Sequence, residues 1–372
     1  MPEAGWPVRS VIAALGVVAL FSACGDDGAG NRGEPSPVTS PAPTSLATPA
    51  AGASVAASVT ALSTAAAATT HEVDVATAPP PQTASFCDPA IPDSQPGTVA
   101  SPDLVEISGI AASRMQDVIW AHNDSGDTAR VFAMGLDGSA LATYALNGAE
   151  AIDWEDMAIG PGPEDGIDYL YLADIGDNAS VRPAIAVYRA REPEFDPAEP
   201  SLTVDADAIA LTYPDGAHDS ETLLVDPVTG DLFIVTKDIL GGPSGLYRAS
   251  APDASGGSIV LERVAVIDFA ALSPRREVPA DAGPLPMALG NVPTGGDISP
   301  DGSTIAIRTY GTVWLWHREP GTTIADAFAD APCEGPSAIE PQGEAIAFDG
   351  MGRGYFTVSE GVNPPLHQFR HR

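Results

Sequence analysis

The chain has 372 residues, with 50 Asp and Glu against 17 Lys and Arg, for a net charge of −33. That charge repels nucleic acid and anionic membrane surfaces and so excludes both as partners of the folded part. The length allows two domains, but the first quarter lacks globular patterning, so one folded domain, a monomer, is expected.

Residues 1–23 read as an export signal, with Arg9 giving a positive start and Val11 to Phe21 an apolar stretch too short to span a bilayer comfortably. The small residues before Cys24 resemble the bacterial lipobox, in which that Cys carries lipid and becomes the mature N-terminus; plain secretion is the alternative. A lipid anchor would place the protein on the outer face of the cell membrane. Residues 24–84 are dominated by Ala, Thr, Ser and Pro with no period of 2 or 3.6, the composition of a disordered linker. With Cys24 lipidated, Cys87 and Cys333 remain, and outside the cytoplasm an even pair is expected to form a disulfide. It would tie the start of the domain to its last blade.

Residues 85–372 repeat one phrase five times: an acid, a β-like stretch, a turn with Asp or Gly, and a second β-like stretch. The copies open at Glu106, Glu155, Glu221, Asp297 and Glu344, roughly 45 to 80 residues apart, as blades of a β-propeller are. Four strand-like segments per copy predict an all-β, five-bladed β-propeller. A sixth blade is the alternative, because the Pro-rich stretch Ser273 to Pro293 could hide strands. The last copy ends one strand short, so a segment near the domain's N-terminus is expected to complete it and remove open sheet edges.

In such a blade the start of the first strand and the end of the second emerge on one face. This predicts that Glu106, Glu155, Glu221, Asp297 and Glu344 ring one mouth of the channel, joined by second-strand ends such as HNDSGD (His122 to Asp127), DIGDN (Asp174 to Asn178) and Lys237. Converging carboxylates repel unless a cation or protons neutralise them, and hard oxygen donors suit Ca²⁺ better than zinc. His122 is the candidate general base, with packing in the channel wall as its alternative role. The acids have an alternative role too, as acceptors of backbone N–H bonds between blades. Asp226, Asp301 and Asp349 are expected in hairpin turns, and Trp120, Trp154, Trp314 and Trp316 between blades.

The segment from Glu106 onward resembles the phytase-like or esterase-like β-propellers, and more distantly the gluconolactonase-like calcium propellers. EISGIA at Glu106, DWEDMA (Asp153 to Ala158), DIGDN at Asp174, GGDISPDG at Gly295 and PQGEAIAF (Pro341 to Phe348) carry the resemblance. It implies a calcium-containing propeller, in some members a hydrolase of phosphate or ester bonds, with the five strand-opening acids as ligands. Only Lys237 and Arg308 stand where they could face a phosphate. The expected function is therefore an exported, lipid-anchored propeller with a calcium-binding mouth, a binding or envelope-associated module for an unidentified ligand. The alternative is a calcium-dependent esterase or phosphatase.

Overall fold

The computed structural model describes residues 86–88, 91–240, 242–254, 257–272 and 290–370. The export signal, Cys24, all of the linker and most of the Ser273 to Pro293 stretch lie outside these residues. Among the described residues, no helix is long and apolar enough to cross a membrane.

Strand β1 (Asp93–Thr98) comes first in the chain but closes the last blade. Blade 1 is β2 (Ile107–Ala112), β3 (Val118–Asn123), β4 (Arg130–Gly135) and β5 (Ala140–Asn147), each antiparallel to the next. Blade 2 is β6 (Trp154–Pro161), β7 (Asp168–Asp174), β8 (Ile185–Arg191) and β9 (Ser201–Thr212). Blade 3 is β10 (Ser220–Val225), β11 (Leu232–Thr236), β12 (Ser244–Ala249) and, after the two-residue β13 (Ile259–Val260), β14 (Glu262–Ile267). A short α1 (Phe269–Leu272) follows. Blade 4 is β15 (Pro293–Ile298), β16 (Thr304–Thr309), β17 (Val313–His317) and, after α2 (Ile324–Ala327), β18 (Cys333–Gly335). Blade 5 is β19 (Gly343–Phe348), β20 (Gly354–Ser359) and β21 (Pro365–Arg370), with β1 antiparallel to β21.

The innermost strands touch in the cyclic order β2, β6, β10, β15, β19 and back to β2. The protein is a five-bladed β-propeller, and its closing strand comes from the N-terminal side of the domain. Five apolar clusters lie one at each blade interface, which is why the inner strands are buried on both faces and do not alternate. Each Leu, Ile or Val fully withdrawn from water there contributes about 1.5–3 kcal/mol. Trp120 and Trp154 pack between blades 1 and 2, and Trp314 and Trp316 between blades 3 and 4, as expected.

Several details differ from the sequence reading. The fourth strand of blade 2 runs twelve residues, and its first half pairs in parallel with β5, joining blades 1 and 2 into one sheet. Blade 4 opens at Pro293, before its acid, and is completed by Cys333–Gly335 beyond α2. Cys87 and Cys333 are bridged, but Cys333 lies on the outer strand of blade 4, not on the last blade. Phe86 beside the bridge packs on Phe348 (5.5 Å) and Tyr355 (6.4 Å) of blade 5, so the bridge clamps blades 4 and 5 together.

Candidate functional site

All five innermost strands share one irregularity, a β-bulge one or two residues after the strand begins. The bulged residues are Ser108, Glu155, Glu221, Thr294 and Glu344. A bulge re-aims a side chain, and here it selects what faces the mouth. Two of the five are hydroxyl residues that bind the next blade: Ser108 donates to the Glu155 carbonyl, and Thr294 donates to the Gly343 carbonyl at 3.0 Å. The other three are buried glutamates, at 4%, 6% and 4% exposure for Glu155, Glu221 and Glu344, so the bulge leaves three carboxylates at the mouth.

Of the five acids expected to be equivalent, then, only Glu155, Glu221 and Glu344 are. Glu106 precedes β2 and is exposed; it still belongs to the mouth, since its charge acts on Asp124 and Glu360. Asp297 departs from the expectation. It lies three residues beyond the bulge, with Oδ1 accepting from Ile298 N–H (2.8 Å) and Oδ2 from Phe348 N–H (2.7 Å). It therefore bridges blades 4 and 5, the alternative role considered for these acids. Asp156, next to Glu155, does this more extensively. Its carboxylate accepts from Met157 N–H (2.8 Å), Leu223 N–H (2.9 Å) and Gly296 N–H (3.0 Å), joining blades 2, 3 and 4 beneath the mouth.

His122 is fully buried, edge-on to Trp154 at 5.3 Å, with Nδ1 2.8 Å from the Asn123 carbonyl oxygen. Burial lowers its pKa, so it is neutral at physiological pH and packs in the wall rather than reaching a ligand at the mouth. Arg308 is likewise withdrawn, paired with Glu340 and donating to the Ala345 carbonyl at 3.1 Å, and burial pulls its pKa down to about 10. Asp226 and Asp349 accept from turn N–H groups, as does Asp301, so these three are turn residues as read from the sequence.

The densest convergence lies on the side of blades 1 and 2. Asp124 leaves the end of β3, Asp153 precedes β6, and Glu155 sits on the β6 bulge. One carboxylate oxygen from each lies within 4.8 Å of the other two, a spacing spanned by a cation with metal–oxygen distances of about 2.3–2.6 Å. The chain also makes room for the group: a Cβ on Gly176 would lie 2.2 Å from Glu155 Oε1 and 2.5 Å from Asp153 Oδ2. Glycine at 176 thus lets the DIGDN backbone pass against both carboxylates. Asp174 supports the arrangement from behind, accepting from Asp153 N–H (3.2 Å) and pairing with Arg182 (2.8 Å). Sequence reasoning placed Asp124 and Asp153 in the right segments but omitted them as ligands; the paired HND and DWED phrases were the available signal.

The electrostatics follow from this crowding. Burial, then the charges of Asp124 and Asp219, push Asp153 up to about 6, and burial with neighbouring acids raises Asp124 and Glu155. Across the mouth, burial and Glu360 push Glu344 up to about 8, and burial with Asp124 and Glu106 pushes Glu360 up to about 7. Lys237, the single lysine, is ion-paired with Glu221 and lowers Asp124, Glu155, Glu344 and Glu360. One ammonium does not offset so many carboxyls, and several of them hold protons near neutral pH unless a cation takes the protons' place.

A carboxyl whose folded pKa exceeds its unfolded value favours folding while protonated, and that contribution fades as pH rises through the folded pKa. Glu344, Glu360 and Asp297, the last pushed by burial up to about 7, all lie on this side. Without a divalent cation, Tm is therefore expected to rise as pH falls from about 8.5 to about 6.5. Below that the gain should continue toward the unfolded carboxyl range but be partly offset, because His122, depressed from 6.5, takes up its single proton only on unfolding while three raised carboxyls keep theirs. Calorimetry with a chelator present checks this, and a Tm that climbs with pH across the window would contradict the crowding.

No protein-family model and no curated protein matches the chain. Among solved structures it is similar to the hydrazine synthase of Kuenenia stuttgartiensis, at 11% identity and a TM-score of 0.37, over 71% of this chain and 83% of that one. Likeness at that level adds nothing to the propeller topology read from the strands.

Proposed function

We propose that this protein is an exported, lipid-anchored propeller that holds a calcium ion at Asp124, Asp153 and Glu155 and works as a binding module at the cell envelope. The observation that carries the reading is the buried Glu155 carboxylate with one carboxylate oxygen each of Asp124 and Asp153 within 4.8 Å. The donor set is all oxygen, with no His or Cys in the group, and it comes from separate segments, which fits a large, flexible hard-cation site better than zinc. The oxidised Cys87–Cys333 pair fits an address outside the cytoplasm.

The test is calorimetric titration of the purified protein with CaCl₂. Glu155→Gln with Asp153→Asn is expected to weaken binding by at least about a hundredfold, two charged ligands at about 1.4 kcal/mol or more each. Glu221→Gln, whose partner is Lys237, should change it far less. Equal heats for all three proteins would remove the calcium reading.

The second reading, a calcium-dependent hydrolase, draws on one observation: the raised Glu344 and Glu360 carboxyls across the mouth, one of which could hold a proton for a leaving group. The sequestration of Arg308 and the pairing of Lys237 favour a carboxylic ester over a phosphate ester as its substrate. Assay of p-nitrophenyl acetate and p-nitrophenyl phosphate with and without Ca²⁺ separates the two readings, since a binding module turns over neither.

A further inference from the structure

On the face opposite the mouth, the β2–β3 turn of blade 1 and the β19–β20 turn of blade 5 border a cavity of about 330 Å³. The two turns meet closely. A Cβ on Gly350 would lie 2.1 Å from the Ser113 carbonyl oxygen, so glycine there lets them touch and form the floor. Three arginines line the cavity, Arg114, Arg353 and Arg370, with two acids, Asp117 and Asp349. A lining with net positive charge stands out in a chain of net charge −33.

The three guanidinium groups are engaged to different degrees. Arg114 is held by the Ile159 carbonyl (2.8 Å) and by Asp168 (3.4 Å), and it fixes one wall. Arg370 Nε is 3.7 Å from Asp349 Oδ2, too far for a hydrogen bond, and that buried oxygen accepts none. Asp349 instead uses Oδ1 to cap the turn, accepting from Met351 N–H (3.0 Å) and Arg353 N–H (2.9 Å). Arg353 is exposed, and among the described residues no carboxylate pairs with its guanidinium. Two arginines thus keep donors available at one cavity. Met115 and Met351, at 82% and 69% exposure, flank it with flexible thioether side chains that adapt to an apolar body.

We propose that this cleft between blades 1 and 5 binds the oxyanion group, carboxylate or phosphate, of a small organic molecule. Guanidinium forks match such oxygens two at a time, and the volume is that of a small-ligand site. The site is independent of the acidic mouth and would leave the propeller with opposite ligand preferences on its two faces.

Saturation-transfer NMR on the full protein, with chelator present so that a mouth cation plays no part, tests this by observing the ring protons of benzoate and phenyl phosphate, with inorganic phosphate added as a competitor. Benzoate and phenyl phosphate are expected to bind, more tightly than inorganic phosphate, which lacks an apolar body. Arg353→Gln with Arg370→Gln should weaken binding at least about tenfold, the loss of one charged hydrogen bond or more. Arg191→Gln, which removes the same kind of charge from an exposed pair with Glu164, should leave binding unchanged. Should the double variant fold poorly, Arg353→Gln alone, on an exposed turn, reads the same effect. Absence of transfer at about 10 mM ligand, or an equal loss in Arg191→Gln, would overturn the proposal.

Discussion

Asp156→Ala is expected to destabilise the domain by about 3 kcal/mol or more and to lower Tm by roughly 6–12 °C. The Asp156 carboxylate receives N–H donors from its own strand and from two other blades, and it is wholly buried. Truncation leaves three backbone donors without an acceptor where water cannot replace it, at about 1–3 kcal/mol each before relaxation. Burial pushes the carboxyl up while the three donors pull it down, so the native arrangement depends on all of them. Asp156→Asn keeps one acceptor oxygen but turns a donor toward the backbone, and should fall between alanine and the parent. Urea midpoints for the three proteins check the order. A loss below about 1 kcal/mol for alanine would mean that these contacts do not hold the inner strands together.

Opening the Cys87–Cys333 bridge, by Cys333→Ser or by reductant, is expected to cost about 5 kcal/mol. The bridge closes a loop of 246 residues, and in the chain-entropy model a loop of that length restricts the unfolded ensemble by about that amount. The bridge also has a place in the folded state, clamping the outer strand of blade 4 while Phe86 sits in the apolar cluster between blades 4 and 5. Its loss should therefore loosen that interface first. Hydrogen exchange on β17, β18 and β21 should rise ahead of exchange on β7 and β11, whose blades do not touch the bridge. Coincident unfolding curves with and without reductant would show that the ring's inner contacts suffice.

The blade count was legible in the sequence because each blade must restate its turn chemistry: a turn with Asp or Gly follows the first strand-like stretch of every copy. The missing last strand was legible for the same reason, and β1 supplies it although its sequence, DSQPGT, has almost no strand character. Its assignment comes from pairing with β21, a tertiary effect that local propensity does not carry. The alignment of the acids was not legible. A bulge inserts one residue without marking the sequence, so Glu106 and Asp297 look equivalent to Glu155 while standing two residues before and three after the bulge positions of their own strands. In blade 4 the opening Pro-Thr-Gly-Gly conceals the strand altogether, since none of these residues but Thr favours β structure. The candidate ligands Asp124 and Asp153 lie on connections rather than strands, and only the fold shows that two loops 29 positions apart deliver oxygens to the same point.

The pairing of β1 with β21 sets an order on assembly. A chain synthesised from its N-terminus presents Asp93–Thr98 long before Pro365–Arg370 exists to receive it. Until then the first four blades form an open arc with two raw ends, each able to recruit a strand from a neighbouring copy. Closure thus becomes the last and most hazardous event in maturation, and crowding of nascent copies should trap swapped pairs at this seam before any other.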